Sequence, residues 1–74
     1  MEIIKISTPF IKLDALLKYA GLSSTGGEAK LMITDGLVAV NGELCTERGR
    51  KIYPGYAVSM QGSTIKILAD DKLS

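Results

Sequence analysis

Glycine and proline are spread along this chain so evenly that no element can grow long. Eight glycines and two prolines interrupt its 74 residues at positions 9, 21, 26, 27, 36, 42, 49, 54, 55 and 62. Glycine weakens helix and strand interiors through backbone entropy, and proline removes an N–H and fixes φ. A chain this short buries only about 60% of its unfolded surface. Its short elements must therefore share one core, and a single domain over residues 1–74 is expected. Apolar residues make up 46% of the chain and charged residues 23%, the balance of a folded rather than a disordered polypeptide.

Between the breakers the periodicities are legible. Glu2 to Ile6 is isoleucine-rich and reads as a strand. Ser7-Thr8-Pro9 reads as a helix start, and Phe10, Leu13, Leu16, Leu17 and Ala20 then recur at the spacing of one helix face. Gly21 ends that helix. Ser24 or Thr25 caps a second helix, which runs from Gly26 to about Asp35 and stops at Gly36. Residues 37–40 form a strand, Asn41-Gly42 a tight hairpin turn, and residues 43–46 the return strand. A polar loop, Glu47-Arg48-Gly49-Arg50-Lys51, leads through Ile52 and Tyr53 to a type II turn at Pro54-Gly55. Residues 56–60 and 64–68 form two more strands around a turn at Gln61-Gly62-Ser63, and residues 69–74 are expected to fray. The class is α+β, with two helices packed on a small, mostly antiparallel sheet.

Composition excludes much chemistry. With no histidine and one cysteine, the chain can build neither a disulfide framework, a Cys/His zinc site, nor a histidine-based catalytic group. Its carboxylates form no acid/base or metal pair at motif spacing, and Cys45 reads as a small packed side chain. No cofactor or metal is expected. No apolar run approaches the roughly 18 residues of a membrane span, and MEIIKISTPF lacks the pattern of a secretory signal. A cytoplasmic protein without membrane partners is the expectation.

Net charge is only +1, so any polyanion site must come from local clustering. Arg48-Gly49-Arg50-Lys51 is the one dense cluster, and guanidinium groups pair bidentately with phosphate oxygens. Lys12 is expected near the same surface. Thr25-Gly26-Gly27-Glu28-Ala29-Lys30 puts two glycines in a helix's first turn. They either bare backbone N–H groups for an anion or ease close helix packing. Tyr53 and Tyr56 could stack bases, but the simpler reading of each is a partly buried residue at a sheet edge.

These pieces resemble a known family. Ile11-Lys12-Leu13-Asp14-Ala15-Leu16-Leu17-Lys18 with Ala20-Gly21, then Glu28-Ala29-Lys30-Leu31-Met32-Ile33, Gly36, Val38-Ala39-Val40-Asn41-Gly42 and the closing Pro54-Gly55 are similar to the RNA-binding domain named after the fourth small-subunit ribosomal protein. The match covers residues 11–60. Thr25-Gly26-Gly27 and Arg48-Gly49-Arg50-Lys51 resemble its short, stand-alone bacterial members. Many relatives carry arginine where this chain has Gly26 and Gly27, and an acid where it has Tyr56.

The resemblance implies an alpha-L fold that docks a basic face on structured RNA, rRNA or tRNA, possessed of no catalytic activity and acting as a monomer, with the ribosome a further partner. Carried over by motif, the RNA-binding residues are Lys12, Thr25, Gly26, Gly27, Lys30, Asn41, Arg48, Arg50 and Lys51. A protein-interaction adaptor on the same fold is the alternative. An enzyme would need a partner chain.

Overall fold

The computed structural model describes residues 2–70. In chain order the elements are β1 (Glu2–Ile6), β2 (Ile11–Lys12), α1 (Leu13–Tyr19), α2 (Gly26–Thr34), β3 (Val38–Val40), β4 (Glu43–Leu44), β5 (Lys51–Ile52), β6 (Ala57–Met60) and β7 (Ser63–Ala69). The main sheet runs β1-β7-β6-β3-β4, and β2 pairs with β5 in a separate two-stranded ribbon. Only β1·β7 is parallel. This is the α+β arrangement, two helices on a mostly antiparallel sheet.

Period-two patterning decides which face of the sheet is covered. Val40 lies opposite Val58, and Val58 opposite Ile65, so one apolar row crosses three strands. Val38, Met60 and Ile67 extend it, and all six side chains are buried. Leu13, Leu16 and Leu17 of α1, three and four apart, and Ala29 and Ile33 of α2, four apart, close over this surface with no exposure. Burying each leucine or isoleucine contributes about 1.5–3 kcal/mol. Cys45 joins this core, and its thiol donates to the Glu47 carbonyl at 3.7 Å.

The stops and turns follow local chemistry. After α1, Gly21 takes φ +78°, and the N–H groups of Gly21 and Leu22 donate to the carbonyls of Lys18 and Leu17. Gly36 and Leu37 close α2 in the same way, through Ile33 and Met32. Asn41 and Gly42 both have positive φ, 53° and 85°, the two-residue turn whose twist matches antiparallel strands. At Pro54-Gly55 the Tyr56 N–H returns to the Tyr53 carbonyl at 3.0 Å.

The start of the first helix differs from expectation. Ser7-Thr8-Pro9 caps nothing; the Thr8 hydroxyl donates instead to the Phe10 carbonyl at 2.8 Å. Ile11 and Lys12 are extended and pair with Ile52 and Lys51, so α1 begins only at Leu13. A ladder to a segment some forty residues away overrides the local helix signal. The return strand after Gly42 is also shorter than expected, Glu43–Leu44. At the other end β7 continues through Ala69, and the Asp70 N–H donates to the Ile6 carbonyl at 2.9 Å. The remainder of the expected frayed tail, residues 71–74, lies outside the described residues.

Candidate nucleic-acid interface

The β2·β5 ribbon has two unlike faces. Ile11 pairs with Ile52 and Lys12 with Lys51. Ile52 is fully buried and Ile11 packs against the core. Because side chains alternate along a strand, Lys12 and Lys51 occupy the opposite, solvent-facing side, directly across from each other. Like charges in that position destabilise a ladder. Among the described residues neither lysine has an ion-pair partner. The Lys51 ammonium instead sits 5.0 Å from the centroid of the Phe10 ring.

The loop before β5 is held by the first turn of α1. No side chain caps that helix at Lys12. The Leu13 N–H donates to the Arg50 carbonyl at 2.9 Å, the Asp14 N–H donates to the Arg48 carbonyl at 3.1 Å, and the Ala15 N–H donates to Asp14 Oδ1 at 2.8 Å. Helix N–H groups that would otherwise lack partners are thus satisfied by the backbone of the arginine loop. The loop closes on itself through the Arg50 N–H and the Glu47 carbonyl, 3.2 Å apart. Arg48 and Arg50 are exposed and form no ion pair among the described residues. Four cations, Lys12, Arg48, Arg50 and Lys51, therefore gather at the N-terminal end of α1.

The start of α2 is built differently. Thr25 Oγ1 accepts the Glu28 N–H at 3.1 Å, and Glu28 Oε1 accepts the Ser24 N–H at 2.9 Å, a reciprocal cap. Gly26 and Gly27 are exposed, and no described group accepts from their N–H groups. A Cβ on Gly26 would meet nothing within 4 Å, and one on Gly27 would meet only Thr25 Oγ1 at 3.9 Å. Close helix packing, one of the two explanations for these glycines, is therefore wrong: no neighbour approaches them. Lys30 is exposed one turn further on. Strand pairing and backbone hydrogen bonds tie Lys12, Arg48, Arg50 and Lys51 to the N-terminus of α1, while Thr25, Gly26, Gly27 and Lys30 share the first turns of α2, so by their contacts the expected residues form two groups.

Asn41 belongs to neither group by its contacts. Its Oδ1 accepts the Ala57 N–H at 2.9 Å, and its own N–H donates to the Ala57 carbonyl at 2.7 Å. It clips the β3·β4 turn to β6. Tyr56 is half-buried against the core, as the simpler reading expects, but it leads into β6, an inner strand, and not a sheet edge.

Residue-by-residue reading missed one feature of the ribbon. Phe10-Ile11-Lys12 and Lys51-Ile52-Tyr53 are mirror images, so antiparallel pairing sets like against like. Phe10 and Tyr53 flank the ladder just beyond the Ile11–Ile52 pair, with ring centroids 5.8 Å apart. The mirror pattern was the available signal.

A family model described as the S4 domain matches residues 4–68. The chain is 38% identical over 61 residues to YbcJ of Escherichia coli, covering 82% of this chain and 87% of that protein. The solution structure of YbcJ, described as revealing an alpha-L motif involved in RNA-binding, superposes with a TM-score of 0.73 at 34% identity, covering 93% of this chain and 89% of that one. A Bacillus subtilis protein named "Probable ribosome maturation protein RlbA" is 41% identical over 59 residues, covering 80% of this chain and 83% of that protein. With the family model and the superposition both covering nearly all of its length, this chain belongs to the S4 domain family.

Proposed function

We propose that this chain is a non-catalytic RNA-binding module that docks on structured RNA, rRNA or tRNA, through phosphate contacts from Lys12, Arg48, Arg50 and Lys51. One observation carries the reading. Four exposed cations are held at the N-terminal end of α1, two of them directly opposed on a ladder, with no acidic partner among the described residues. Folding alone gains nothing from that arrangement, whereas a polyanion supplies the missing counter-charge. A-form RNA is read largely by shape, phosphate and 2′-hydroxyl contacts, so a few well-placed cations suffice.

Thr25, Gly26, Gly27 and Lys30 take a second stretch of the same RNA backbone. The bare glycines there let a phosphate approach main-chain N–H groups. The relatives support the class of partner: YbcJ carries a motif described as involved in RNA-binding, and RlbA is named for ribosome maturation. On this reading the module works in the cytoplasm beside or on the ribosome, as one domain and one copy.

The test is a salt titration of binding to tRNA and to rRNA fragments. Replacing Arg48, Arg50 and Lys51 together by alanine is expected to weaken binding while leaving the fold intact. Each lost phosphate contact lowers the log–log salt slope by about 0.7 to 0.9. Unchanged affinity in that variant refutes the site. Wild-type protein that binds neither RNA in a salt-dependent way points instead to a protein-interaction adaptor.

A further inference from the structure

We infer that the outer face of the β2·β5 ribbon is a stacking site for an unpaired nucleobase, seated on Tyr53 while the flanking phosphates engage Lys12, Lys51 and the arginine loop. The inference rests on the RNA-binding reading above and adds to it a kind of RNA: one that presents a loop, bulge or end beside its paired region.

Three observations carry it. First, the alternation that turns Ile11 and Ile52 toward the core puts Phe10 and Tyr53 on the same outer face as Lys12 and Lys51. Ring and cation are therefore neighbours on one surface, matching the chemistry of a nucleotide, which joins a flat base to a charged phosphate. Second, Tyr53 is 40% exposed, although it contacts two other rings. Phe10 meets it at an interplanar angle of 49° and Tyr56 at 61°. Neither ring lies parallel to Tyr53, so neither is stacked face to face on it. Third, those contacts hold the ring before any ligand arrives. Phe10 is itself covered by the Lys51 ammonium, and Tyr56 is packed on the core. An aromatic ring fixed in advance loses little side-chain entropy on binding.

Charge complementarity selects the occupant. An apolar protein segment would have to sit beside Lys12 and Lys51 without neutralising them, whereas a nucleotide neutralises them and covers the ring at once.

The probes are a stem-loop RNA carrying 2-aminopurine at each loop position in turn and a fully paired duplex with the same stem. Wild-type protein is expected to bind the stem-loop more tightly and to change the 2-aminopurine emission at one position or more. Tyr53→Leu is expected to lose about ten-fold in stem-loop affinity, with the salt slope and the duplex affinity unchanged. Tyr53→Trp, which keeps a stacking surface, retains binding. Equal affinity of Tyr53→Leu and wild type for the stem-loop, while the triple alanine variant loses binding, overturns the stacking site and leaves the phosphate reading standing. An equal loss on both RNAs also overturns it, as does wild-type protein that binds the stem-loop without altering any 2-aminopurine. Absence of salt-dependent binding to either RNA removes both readings together.

Discussion

Lys12→Glu separates a functional from a structural origin of the basic ribbon. In the wild type Lys12 faces Lys51 directly across β2·β5, and no described carboxylate intervenes to pair with either. The substitution turns a repulsive cross-strand pair into an attractive one. Cross-strand pairs of this kind are worth about 0.2–1 kcal/mol, and exposed ion pairs fall in the lower half of that range. Lys12 is exposed, so about 0.5 kcal/mol is the expected gain, a rise of roughly 2–4 °C in Tm for a domain of this size. Lys51 is the poorer choice, because its ammonium also lies over the Phe10 ring. The gain shrinks toward zero near 1 M salt, where the Debye length falls to about 3 Å. RNA binding moves the opposite way: the variant loses one phosphate contact and gains a repulsion, so affinity falls and the salt slope drops by about 0.7–0.9. Thermal melts at two salt concentrations and a salt titration of RNA binding read both quantities. A variant that melts lower than wild type at low salt, or binds RNA equally well, refutes the reasoning.

Gly27→Ala tests the start of α2. The added methyl meets nothing closer than 3.9 Å, so stability is expected to rise by about 0.4–1 kcal/mol in urea unfolding, while RNA affinity falls. A more stable protein with undiminished affinity takes this helix end out of the interface. Asn41→Ala replaces a residue that tolerates φ 53° with one that does so less readily and leaves the Ala57 N–H without its acceptor, so a loss of about 1–2 kcal/mol is expected in thermal unfolding. RNA affinity measured below the transition stays at the wild-type value. Weaker binding by the folded variant would return Asn41 to the RNA contacts.

Much of the molecule follows from signals within a few residues of one another. Gly21 and Gly36 stop their helices, Thr25 caps α2, and Asn41-Gly42 makes its turn, each through hydrogen bonds or backbone preferences spanning at most five positions. The apolar spacing of Leu13, Leu16 and Leu17 likewise names the buried helix face before any fold is known, whereas the alternation in residues 56–60 allows either face and only the packed sheet buries Val58 and Met60. The basic cluster was visible as well, since charge density is a property of the chain.

Its location was not. The ladder joining Ile11-Lys12 to Lys51-Ile52 and the bonds from the first amides of α1 to the Arg48 and Arg50 carbonyls connect segments nearly forty residues apart. No local propensity encodes them, and at Ser7-Thr8-Pro9 the local preference pointed the other way. Pairing is decided by which distant backbone can satisfy the exposed N–H and C=O groups once the shared core has formed. That choice fixed the cations at the start of the first helix, set two lysines face to face, and turned Phe10 from an expected helix position into the neighbour of Tyr53.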